Sequence, residues 1–137
     1  MPAYIYQILH LSGLVLVFLS LGGAVVRSMS KSDEPAIRKL VGLSHGIGML
    51  LVFIAGFGLI AKTGVGFQAW VFIKIGIWVL LAVLFAMINR KPDLAKTLWY
   101  VVLFAAVIAI FLVYRKPFAH YDVAPDVAPT KQAQASE

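Results

Sequence analysis

The chain has 137 residues, 61% of them hydrophobic and only 13% charged, with a mean hydropathy of +0.91. A soluble domain of this size exposes too much surface to hide such an apolar fraction, so composition places the chain among integral membrane proteins. The net charge of +6 is not the footprint of a nucleic-acid binder, because the cations stand at the ends of apolar stretches, and the lack of cysteine excludes disulfides, thiolate-held zinc, iron–sulfur clusters and c-type haem attachment.

Four apolar stretches follow in chain order, each long enough to span a bilayer at about 1.5 Å per residue. The first runs over residues 3–26. No basic residue precedes it, and Arg27 stands where a small-residue cleavage site would fall, so it reads as a retained span. Ser30 to Glu34 form a polar connector, and Pro35 is placed to open the next helix. The second span covers residues 37–61 and ends at Lys62-Thr63-Gly64-Val65-Gly66, a turn short enough to make spans two and three antiparallel neighbours. Span three covers residues 67–88, Asn89-Arg90-Lys91-Pro92-Asp93 breaks it, and span four covers residues 95–114. The expected fold is all-α, an integral membrane four-helix bundle over residues 1–118, with a disordered tail over 119–137 rich in Ala, Pro, Val, Gln and Asp.

Orientation follows from the connectors. Arg27, Lys31, Arg38, Lys39, Arg90, Lys91 and Lys96 share one side, which the positive-inside rule places in the cytoplasm. Both termini then face outward. Spans one and two are punctuated by Gly13, Gly22, Gly23, Gly42, Gly46, Gly48, Gly56 and Gly58, a pattern that suits close helix packing and a homodimer.

Ionisable groups at bilayer depth are expensive and mark functional sites. The interior candidates here are His10, His45 and Lys74, and no Asp or Glu lies within a span. A carboxylate proton relay is thereby excluded. His10 and Lys74 both lie roughly 10 Å in from the outer end of parallel spans, so they can meet across the bundle. His45 enters from the opposite face and is not expected to grip the same ligand as His10.

Each residue has a plain and a sharp reading. His10 is either an imidazole bonded to a neighbouring helix or an axial ligand to haem iron, with Gly13, one turn on, clearing room for a flat ring. Lys74 either leans its ammonium toward the outer headgroups or pairs with an anionic ligand walled by Trp70 and Trp78. His45 is either bonded within the bundle or a second metal-ligand position. A b-type haem unites His10 and Lys74: its iron takes an imidazole, and its propionates need a cation.

The run Leu9-His10-Leu11-Ser12-Gly13, with Arg27 at the exit of the span, resembles the opening of bacterial protoporphyrinogen oxidases of the HemJ type. Ala69-Trp70-Val71-Phe72-Ile73-Lys74 resembles the opening of that family's third span, and Val113-Tyr114-Arg115-Lys116-Pro117-Phe118 resembles its ending. Small membrane proteins of the SirB type share the layout. The resemblance implies a haem b held by His10 and a need for Lys74 in activity; in a bacterial inner membrane, the expected location, the outward termini would be periplasmic. Those oxidases also carry an Asn-Glu-x-Pro motif. The nearest match here, Asn89-Arg90-Lys91-Pro92, has a cation in place of the acid, so the resemblance carries haem binding further than oxidase activity.

Three functions follow as expectations. The first is a haem b redox protein, passing electrons to or from a quinone or oxidising a porphyrinogen. The second is a non-catalytic assembly or scaffold subunit of the membrane, and the third an oligomeric small transporter. The sequence carries no phosphate-binding glycine loop and no nucleophile elbow.

Overall fold

The structure, a computed structural model, describes residues 2–64 and 67–115, the last three by their backbone alone. It consists of α1 (Ala3–Met29), α2 (Pro35–Thr63), α3 (Ala69–Arg90), a 3₁₀ turn over Pro92–Leu94, and α4 (Ala95–Arg115). Four helices are long and apolar enough to cross a membrane, and no strand occurs among the described residues. The expected disordered tail lies outside the described residues.

The helix ends are set by local chemistry. After α1, Lys31 adopts a left-handed conformation (φ 51°), and the amides of Lys31 and Ser32 turn back to the carbonyls of Ser28 and Arg27. This double return stops a helix by satisfying its last carbonyls. Pro35 opens α2, where a missing amide hydrogen costs nothing. Gly64, at φ 65°, closes it. Pro92 keeps Lys91 out of helical geometry, which ends α3. Helices α1, α2 and α3 run past their apolar stretches by up to a turn, because continuing the helix still satisfies backbone groups in the polar flank.

Helix α1 packs on all three others. Its partnership with α2 is the closest, and glycine makes it so. A Cβ on Gly13 would stand 2.9 Å from the Gly48 carbonyl oxygen and the Val52 amide nitrogen, and one on Gly48 would meet Gly13 and Val17 equally tightly. The register continues along the pair: Tyr6 lies on Gly58, Ser20 bonds His45, and Gly23 faces Val41. Partner numbers fall as α1 numbers rise, so the two helices are antiparallel.

The dry core lies toward the Met29 end of α1. Val17, Leu21 and Ala24 are fully buried there against Leu81, Leu84 and Ile88 of α3 and Leu98 and Val102 of α4. The outside is apolar as well: Val15 and Leu19 of α1, Leu50 of α2 and Phe104 and Val107 of α4 are exposed. By contrast, α2 meets α3 through rings. Phe53 packs on Trp78 with centroids 5.1 Å apart, and His45 stacks on Phe85 at 4.0 Å.

The glycines therefore divide into two classes with different expected costs. Gly13→Ala should destabilise the bundle by about 1–3 kcal/mol, the usual penalty of overpacking. Gly42→Ala and Gly46→Ala, whose added carbons meet nothing within 4 Å, should stay within about 0.5 kcal/mol of the parent. Detergent-induced unfolding followed by tryptophan fluorescence measures both.

Candidate functional site

His10 projects from α1 onto α2 and is half-buried. Its Nδ1 lies 3.0 Å from the Val52 carbonyl oxygen. A carbonyl can only accept, so Nδ1 carries the hydrogen and Nε2 keeps its lone pair. The Val52 carbonyl is reachable because the residue one turn on is Gly56, over which the imidazole lies: a Cβ there would stand 3.4 Å from the ring. Gly56 thus makes room for His10. Gly13, expected to clear a slot for a flat ligand, is instead filled against by the backbone of α2. That expectation fails because small residues at a helix crossing draw the helices together.

Lys74 comes from α3 and lines the same half-open recess as His10. The cavity has a volume of about 80 Å³ and is also bounded by Leu14, Met49, Val52 and Trp78. Ala109 of α4 closes one side. The Lys74 ammonium lies 4.5 Å from the centre of the Trp70 ring, one turn toward the start of α3. This is the direction in which a helical stem tilts, and the ring face offers the cation electrostatic support. Trp70 is held by its own indole N–H, which donates to Gln68 at 2.8 Å. Trp78 donates its N–H to the Met49 carbonyl at 3.0 Å, fixing the cavity wall between α2 and α3. Of the expected site residues, His10, Lys74 and Trp78 meet at the cavity, with Trp70 holding the ammonium from behind.

His45 lies elsewhere. It is 6% exposed and sits opposite Ser20, ten residues along α1 from His10, or roughly 15 Å. The Ser20 hydroxyl donates to the Val17 carbonyl at 2.7 Å, so its hydrogen is already committed. Its oxygen must accept from His45 Nδ1–H at 3.0 Å. The His45 Nε2 therefore also carries a lone pair, and it has no hydrogen-bond partner among the described residues. The ring is not part of the His10 cavity.

No family model, characterised protein or solved structure matches the chain.

Sequence reasoning missed a second polar join. Arg27, at the end of α1, donates through Nη2 to the Asn89 side-chain oxygen, and Asn89 donates in turn to the Phe85 carbonyl at 2.8 Å. Together with Ser28, which reaches the Ile88 carbonyl, this pair ties α1 to the end of α3. Arg27 follows the first apolar stretch, but nothing local in the sequence announces a partner 62 residues away. Among the described residues no group of three or more His, Cys, Asp or Glu could hold a metal ion.

The His45 arrangement has a testable energetic signature. Ser20→Ala leaves a buried Nδ1–H without an acceptor and should cost about 1–3 kcal/mol. Adding His45→Phe removes the other partner while keeping a ring on Phe85, and most of that loss should return. A double-mutant cycle by detergent unfolding reads the coupling directly.

Proposed function

We propose that this chain spans a bacterial inner membrane four times, with both termini outside, and binds a b-type haem between α1 and α3 as a small redox protein. The observation that supports the reading most is the half-open recess shared by His10 and Lys74. Its chemistry suits the group. A metal-ligating imidazole characteristically donates its other N–H to a carbonyl, as His10 does to Val52. A cation at the same level suits the acidic edge of the macrocycle, and the aromatic wall of Trp78 suits its apolar face.

The space is tighter than the chemistry. A cavity of about 80 Å³ holds small molecules, whereas sites for flat organic ligands begin at about 300 Å³. Binding a macrocycle therefore requires α3 to part from α1 and α2. The contacts that must yield there are ring packing, the Trp78 to Met49 bond and the apolar packing of Val17 on Leu81, not the backbone crossing of α1 with α2.

Bound there, the haem would supply one-electron chemistry. The chain's own residues ligate, orient and exclude water. A membrane quinone is the partner whose polarity suits the location. Porphyrinogen oxidation is the less supported branch, since Asn89-Arg90-Lys91-Pro92 lacks the acid of the motif it resembles and Asn89 is engaged by Arg27. The narrowness of the cavity favours a second reading, a non-catalytic assembly subunit held in the membrane by packing alone. That reading predicts a colourless protein indifferent to substitution at Lys74.

Visible spectra of haem-supplemented variants separate the two. His10→Ala should abolish the Soret band and His45→Ala should keep it. Lys74→Gln should retain the band while weakening haem affinity about ten- to a hundredfold, as loss of a charged hydrogen bond does, with Lys74→Arg restoring part of it. Loss of the band in His45→Ala alone would move the ligand to α2, and no band in the parent protein would favour the assembly subunit.

A further inference from the structure

A second concave feature lies on the outer face of α2, away from the His10 cavity. It is an open groove of about 710 Å³ whose head is formed by Arg38 and Lys39, with Asp33 at the rim. Its floor is Gly42 and Gly46, where an added Cβ would meet nothing within 4 Å. Leu43, Ile47 and Leu50 wall it.

From this geometry we propose that the groove binds one anionic phospholipid, its phosphate held by Arg38 and Lys39 and an acyl chain laid over Gly42 and Gly46. The proposal rests on the reading of the helices as membrane spans and is independent of haem.

Charge and length select the occupant. Arg38 and Lys39 are exposed, and two cations outnumber the single carboxylate, Asp33, that lines the groove with them. They stand at the polar start of a span, on the side where Lys31, Arg90, Lys91 and Lys96 also gather. An anionic headgroup at that level gains about a fivefold preference per nearby cation, from roughly 1 kcal/mol each. From Arg38 to Leu50 the groove runs about 18 Å, which matches the depth of one leaflet, half of the about 30 Å hydrocarbon core. Glycine at both floor positions leaves a notch in the side-chain surface of α2, open on its outer side. A second copy of this chain is the poorer occupant, because a parallel two-fold contact through Gly42 and Gly46 would bring each Arg38 and Lys39 toward its equivalent, and Asp33 offsets only part of that repulsion.

Native mass spectrometry of the full chain, released from detergent in equimolar phosphatidylglycerol and phosphatidylcholine, tests this. The parent should retain one phosphatidylglycerol per chain, favoured about tenfold or more over phosphatidylcholine. Arg38→Gln with Lys39→Gln should bring that ratio to near one. Lys91→Gln with Lys96→Gln removes equal charge from the same end of the bundle and should leave the ratio within twofold of the parent. Gly46→Leu, which fills the notch, should lower retention of both lipids. Equal retention by the parent, or an equal loss in the Lys91/Lys96 pair, would overturn the proposal, as would efficient cross-linking of Gly42→Cys between copies in phosphatidylglycerol bilayers. Flotation with liposomes reports separately on whether the chain enters membranes at all.

Discussion

The backbone contact of Gly13 with Gly48 sets the geometry that everything else follows. With no Cβ on either side, α1 and α2 approach until each glycine's Cβ position lies 2.9 Å from the other's carbonyl oxygen. That crossing fixes the antiparallel register, and the register brings His10 to the Val52 carbonyl and Ser20 to His45. Apolar helices gain little from one another in a lipid-like environment by burial alone, so close packing and interhelical hydrogen bonds carry the specificity. Each histidine is one of those bonds. In donating from Nδ1, each carries its lone pair on Nε2.

The two imidazoles then diverge because of what α3 presents to them. Opposite His45, α3 offers Phe85 and a packed apolar core, so the ring is stacked and enclosed. Opposite His10, α3 offers Lys74, and Trp78 is held in the wall by its bond to Met49, so a recess persists. The same tautomer therefore sits in a closed setting at one level and an open one about three turns away. The hydrogen bonds of both histidines run between α1 and α2, so a shift of α3 would leave those bonds in place while loosening the His45 stack on Phe85.

Much of the bundle was legible in sequence, because length and continuous apolarity leave few alternatives to helices. Pro35, Gly64 and Pro92 marked their boundaries by backbone chemistry that acts locally. The level shared by His10 and Lys74 was legible too, since depth along a span is a matter of counting. What could not be read was rotation about each helix axis. Gly13 and Gly56 look alike in sequence, yet one admits a helix and the other an imidazole. The joins of Arg27 to Asn89 and of Ser20 to His45 were likewise hidden, because a side chain's partner on another helix depends on which faces meet, and uniformly apolar helices carry little pattern to decide that.

The central claim is that His10 keeps Nε2 available beside Lys74 while its Nδ1 hydrogen is held by Val52. Nitrogen-15 NMR of histidine-labelled protein, before and after adding cobalt(III) protoporphyrin as a diamagnetic analogue of haem, tests it most directly. The account predicts that both His10 and His45 carry their hydrogen on Nδ1 in the ligand-free protein, and that only His10 Nε2 shifts on adding the metalloporphyrin. Protonation of His10 at Nε2, or a metal-induced shift confined to His45, would contradict it.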